Sequence, residues 1–237
     1  MTRTADRSAF LRGAKDGAPF ILVIVPFAIL FGVVATEAGL DLAQTMVMTV
    51  AVIAGAAQFA AVQQMVDGAP VFMVLATSLA VNLRMAMYSA TMVPYLGAAP
   101  WWKRAVVAYF LVDQSAVLSA DTFEREASRS LAWKLGYFFG VILPIAPLWY
   151  AGTLFGALVG GRIPEAFALD FAMPITFLAM IAPMIKTLPH LAAAVTSVIL
   201  ALLLSGLPFG SGLLVAAVMA LIVGAGVEVA MERRATA

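Results

Sequence analysis

Long apolar stretches separated by short polar breaks run along the chain from Ala18 onward. Read as helices, they place spans at about 18–36, 43–66, 70–94, 103–120, 135–159, 166–185, 191–204 and 212–230. Most are long enough to cross a hydrocarbon layer, which takes about 20 residues. They are continuous runs and not alternating ones, which argues for helices over barrel strands. The breaks have turn or interface chemistry: Glu37 to Asp41, Asp67-Gly68-Ala69-Pro70, Pro94 to Pro100 with Trp101 and Trp102 behind it, Gly161 to Pro164, and Leu207 to Ser211. Tryptophan at such a position marks the headgroup level. Pro26, Pro144, Pro147, Pro174 and Pro183 fall inside spans and predict broken or bent helices.

The pattern therefore predicts an all-α, polytopic helix bundle of seven to eight transmembrane segments. A polar segment, residues 1–16, precedes a single transmembrane domain over 17–231, and 232–237 form a tail. The run after Asp16 is too long for the apolar part of a signal peptide, so it reads as a retained first span. At an offset of about 118 residues the first spans partly match the fifth and sixth, Pro26 meeting Pro144, which raises a duplication of about 17–66 in 135–185. In the fifth span Gly136, Gly140, Gly152, Gly156 and Gly160 share one i+4 row, a surface for close helix approach within the bundle or against a partner subunit.

Composition narrows the class. The chain is 63% hydrophobic and 11% charged, with a mean hydropathy of +1.01, where a soluble domain carries about 25% charged residues. A net charge of +1 offers no basic field for nucleic acid. There is no cysteine, so disulfides and thiolate-held metal are excluded. With eight spans and the N-terminus inside, Arg3, Arg7, Arg12, Lys15, Arg125, Arg129, Lys134, Lys186, Arg233 and Arg234 face the cytoplasm, and only Lys103, Arg104 and Arg162 face outward. Lys103 and Arg104 fit better if the second or fourth segment is re-entrant, which gives seven crossings.

Against this background a few polar residues stand out. Arg84, with Asn82, lies near the middle of the third span. A cation at mid-depth costs between about 3 and more than 10 kcal/mol and needs a partner or a wet cavity. Asp113, central in the fourth span, is the candidate counter-ion, with Asp170 and the loop acids as competitors. Gln58 and Asn82 would line the cavity. Gly55 to Phe59 reads either as an unwound stretch with free backbone groups or as a small-residue packing face. Asp170 reads either as a site acid or as an acid favoured by a helix N-terminus. No Gly-x-Ser-x-Gly, His-Glu-x-x-His or Walker loop occurs, so no enzyme activity and no cofactor is expected.

Several of these elements, in order, are similar to the AzlC-type branched-chain amino acid permeases: Gly17 with Pro26, Phe31-Gly32, Ala54-Gly55-Ala56-Ala57-Gln58-Phe59, Asn82-Leu83-Arg84 with Tyr88, Asp113, and Leu169-Asp170-Phe171-Ala172-Met173-Pro174 with Phe177. The resemblance runs from about Gly13 to Val229. It implies export of Leu, Ile and Val across the bacterial inner membrane, together with a small AzlD-type membrane subunit. Met85 stands where the family often has His, and Gln114 where it often has Glu, so this chain lacks those two titratable groups. An amino acid zwitterion needs a donor for its carboxylate, an acceptor for its ammonium and an apolar pocket. Arg84, Asn82 and the backbone near Gly55 can serve the first, and Asp113 or Asp170 the second.

Overall fold

A computed structural model describes residues 2–160, 185–207 and 211–235. Among the described residues all regular structure is helical, without strands. The helices are α1 (Thr2–Gly17), α2 (Ile21–Glu37), α3 (Leu42–Val52), α4 (Gly55–Val66), α5 (Val71–Leu96), α6 (Trp101–Tyr109), α7 (Asp113–Arg125), α8 (Leu131–Ile142), α9 (Ile145–Gly160), α10 (Leu188–Leu203) and α11 (Ser211–Ala235). A turn of 3-10 helix, Ala18–Phe20, joins α1 to α2 around Pro19. Four described stretches are long and apolar enough to cross a membrane: Arg7–Glu37, Val71–Leu96, Leu131–Gly160 and Ser211–Arg234.

Several spans read as single helices are broken. The predicted span 43–66 divides into α3 and α4. Asp41 starts α3 by accepting from the Gln44 N–H at 2.8 Å while Gln44 returns a bond to the Asp41 N–H. At its other end Ile53 adopts φ 39 and ψ 35, the left-handed region that β-branched residues avoid. The break lies at Ile53–Ala54, and Gly55 to Phe59, read either as unwound or as a packing face, is helical. The span 103–120 divides at Phe110 to Val112 into α6 and α7. Ser115 causes this locally: its hydroxyl accepts the Val112 N–H at 2.9 Å and lies 2.7 Å from the Phe110 carbonyl, so it competes with the helical ladder. Asp113 thus opens a helix and is not at the centre of one.

Other boundaries shift with their caps. Helix α8 begins at Leu131 because the Ser130 hydroxyl accepts the Trp133 N–H. Helices α2 and α5 run through Pro26 and Pro94. His190 lies in the first turn of α10 behind the Thr187 cap. The last span, predicted at 212–230, extends to 25 residues in α11. Residues 161–184, which hold nearly all of the predicted sixth span with Asp170, Pro174 and Pro183 and the end of the proposed repeat, lie outside the described residues.

The chain forms two compact units, Met1–Phe59 with Val81–Pro164, and Ala60–Ala80 with Glu165–Ala237. In the second, α10 packs on α11, Gly224 lying against Ala193. The first is organised by two long helical runs lying parallel, α1 on α8 and α2 on α9. A methyl group at Gly13 would overlap the Tyr137 carbonyl, and one at Gly140 the Phe10 carbonyl. Further along, Gly32 meets the Thr153 carbonyl and Gly156 the Ile29 carbonyl. In both crossings each glycine faces the carbonyl three residues before the other, a local two-fold relation. The glycine row is therefore covered by the chain's own first helices through Gly140, Gly152, Gly156 and Gly160, and is not left open for a partner subunit. Backbones approaching this closely gain dispersion and Cα–H···O contacts. Around the crossings Phe31, Tyr137, Phe138, Val141 and Ile142 are almost fully buried.

Candidate functional site

Arg84, on α5, and Asp113, the first residue of α7, form an ion pair of 2.9 Å between Nη1 and Oδ2. The two side chains are 24% and 35% exposed, through atoms other than Arg84 Nε and Asp113 Oδ1. Asp113 is doubly favoured in place, by the guanidinium and by the positive end of α7. The contact is one-armed. Arg84 Nε and Asp113 Oδ1 are buried and without a hydrogen-bond partner, and so is Asn82 Oδ1. A guanidinium and a carboxylate can meet through two parallel bonds, and here they do not. Tyr88 lies one turn beyond Arg84, near the pair.

The sequence-predicted residues are only partly brought together. Arg84 and Asp113 meet. Gln58 is fully buried but shares no hydrogen bond with them. Gly55 lies against the rings of Phe27 and Trp149. Asp170 is outside the described residues. Among those residues, no three His, Asp or Glu side chains converge as a metal site would require.

Sequence reasoning missed two polar stitches in the apolar interior. Trp149 donates from Nε1 to Thr49 Oγ1 at 2.7 Å, and Thr153 lies beside it, the two threonines fully buried. The Tyr109 hydroxyl donates to the Val50 carbonyl at 2.7 Å and accepts from Tyr150 at 2.8 Å. The signal was present in Thr45 and Thr49, an i+4 polar pair in an otherwise apolar run.

A charged network holds the N-terminal helix. Arg12 pairs with Glu126, and Arg129 bonds Glu126 at 2.7 Å. Both guanidiniums lie over the Trp133 ring, at 5.7 and 5.0 Å. Thr122 donates to Tyr137, which donates to Asp16 at 2.8 Å. Arg129 and Arg12 together hold the Glu126 carboxyl below its ordinary range. A cavity of about 550 Å³ opens here, among Arg12, Lys15, Asp16, Leu118, Thr122 and Tyr137, and does not reach Arg84.

Residues 19–163 match the family described as AzlC protein. The chain belongs to the AzlC family. The matched stretch includes α2 to α9, and with them the ion pair, the helix breaks and the parallel crossing at Gly32 and Gly156. Relatives of this AzlC family chain are named as membrane proteins. It is 23% identical over 180 residues to the inner membrane protein YgaZ of Escherichia coli K12, covering 73% of this chain and 72% of that one. It is 26% identical over 176 residues to an uncharacterized membrane protein of Helicobacter pylori, covering 72% and 75%. A membrane protein of Archaeoglobus fulgidus is 26% identical over 197 residues, covering 79% and 80%. No solved structure matches.

Proposed function

We propose that this AzlC family protein is a subunit of a secondary-active transporter that exports Leu, Ile and Val across the bacterial inner membrane. It works by alternating access together with a small AzlD-type membrane subunit. The observation that carries the reading is the one-armed Arg84–Asp113 pair, with an unmet donor on Arg84 and unmet acceptors on Asp113 and Asn82. An amino acid zwitterion complements that set. Its carboxylate takes Arg84 Nε and its ammonium takes Asp113 Oδ1. Substrate entry exchanges one ion pair for two, so the membrane never holds a bare charge. Selectivity among aliphatic side chains is shallow, because one methylene is worth about 1–3 kcal/mol in an apolar pocket.

The cytoplasmic N-terminus is part of the proposal. Its support is the excess of Lys and Arg on that side, and the Arg12–Glu126 pair, which puts the N-terminal helix and the charged segment near residue 126 at one end of the unit. The test is resistance to a toxic valine or leucine analogue. Arg84→Ala and Asp113→Ala should each abolish it while the protein still reaches the membrane; normal resistance in both would sink the site. Counterflow of labelled leucine against methionine, threonine and aspartate, with and without the small partner, reads substrate and partner together.

A second reading is a non-transporting membrane partner with a static pair, favoured by the place of Asp113 at the start of α7, where an acid is stabilised whatever it binds. Exchanging Arg84 and Asp113 would then preserve function. A passive channel for a small amphipathic or anionic metabolite is the remaining alternative. Uncoupler-sensitive accumulation in vesicles excludes it.

A further inference from the structure

Gln58 is 0% exposed, and neither its Nε2 nor its Oε1 has a hydrogen-bond partner. An amide buried in this way is a standing cost unless something else occupies the site. Its position points to an occupant. Gln58 closes the first turn of α4, its N–H reaching the Ala54 carbonyl at 3.0 Å. The helix opens directly from the break at Ile53, so the N–H groups of Gly55, Ala56 and Ala57 precede the helical ladder. A helical side chain leans toward its helix N-terminus, which brings the Gln58 amide to the same end as those donors. The helix dipole adds positive potential there.

The surroundings are apolar and aromatic. Phe27 and Trp149 pack on Gly55, and Phe59 packs on Phe27 at 5.0 Å and on Phe31 at 5.4 Å between ring centroids. Trp149 is pinned by its bond to Thr49. We infer that the α3–α4 break is a second binding site, separate from the Arg84–Asp113 pair, which takes the carboxylate of a small aliphatic acid or amino acid on Gln58 Nε2 and the α4 amides. The aliphatic chain lies against the rings. Phe27 now closes on Gly55, so the occupant enters as that ring swings away from the pinned Trp149. The use of leucine as its natural occupant rests on the transport reading; the carboxylate site itself does not.

The probe is 4-methylpentanoate, leucine's skeleton without the ammonium, added to the purified full chain in detergent. It should raise the melting temperature of the wild type. Gln58→Glu places a carboxylate on the same donors, so this variant should melt at or above the ligand-free wild type and respond no further. Gln58→Leu should keep the fold and bind the probe about tenfold or more weakly, the loss expected for a hydrogen bond to a charged group. Arg84→Met should keep the probe's effect even where leucine counterflow is gone. The inference falls if the wild type shows no shift, if Gln58→Glu shifts as the wild type does, or if Gln58→Glu melts far lower while Gln58→Leu binds normally. Loss of the shift in Arg84→Met with retention in Gln58→Glu places the carboxylate on Arg84 and also overturns it. Normal leucine counterflow by Arg84→Met removes the ion-pair site alone.

Discussion

Tyr109 donates its hydroxyl hydrogen to the Val50 carbonyl and so ties the last turn of α6 to the last turn of α3. Both helices break within three residues of that bond, at Ile53 and at Phe110 to Val112. A helix C-terminus leaves carbonyls without intrahelical partners, and in an apolar layer each must be met. Tyr109 meets one of them and is itself met by Tyr150.

Tyr109→Phe should therefore destabilise by about 1 kcal/mol, the ordinary net value of one hydrogen bond. Tyr150→Phe should cost less, because Val50 keeps its donor. A double-mutant cycle on melting in detergent reads the coupling, and additive single effects would show that the chain of three groups does not act as one.

The ion pair should separate stability from transport. Arg84→Ala strands a part-buried carboxylate, and at this intermediate exposure the cost is about 1–3 kcal/mol. Reversing the pair, Arg84→Asp with Asp113→Arg, should recover much of the melting temperature without recovering export. Recovery of export would favour the static reading.

The crossing glycines should tolerate nothing larger. At Gly32 or Gly156 a methyl group meets backbone carbonyl, which cannot rotate away. Alanine at either site should cost about 2 kcal/mol or more and lower the yield of folded protein. Gly226, on α11, is the control. An added methyl meets nothing within 4 Å there, and Gly226→Ala should hold or gain about 0.5–1 kcal/mol. Melting temperature and detergent gel filtration compare the three.

The latch on the N-terminal helix should weaken in acid. Arg129 and Arg12 lower the Glu126 pKa, so its contribution is complete above the ordinary Glu value and fades as pH drops through the lowered one. Glu126→Gln should melt below the wild type at neutral pH, and the gap should close in that acidic window. A gap that is constant with pH would show that the carboxylate's charge is not what holds Arg12.

Apolar periodicity made the helices and the membrane class legible, and the cost of an intramembrane cation singled out Arg84 and its need for an acid. The breaks were hidden for a physical reason. Ile53 and Ala54 are as apolar as their neighbours, and no proline or glycine occupies the left-handed position at the bend. Pro26 lies inside a continuous helix, whereas Pro144 falls in the turn between α8 and α9, as its place in the fifth span predicted. Ser115 ends a helix through one hydroxyl, a signal shared with many residues that do not. The glycine row was visible as a packing face, but its partner, the chain's own first two helices, was not, because a parallel contact between opposite halves leaves no local trace in sequence.

That parallel contact also governs how the protein is made. Helix α2 enters the bilayer long before α9 exists. Gly32 and Gly156 are 124 residues apart, about 6–25 s of synthesis at about 5–20 residues per second. Through that interval the notch around Gly32 stands empty in lipid, open to any helix with a small face. Assembly is thus exposed to competition from neighbouring nascent chains, and the fit of α9 must win after the fact. A late-arriving second half, expressed as its own polypeptide, should still find the first.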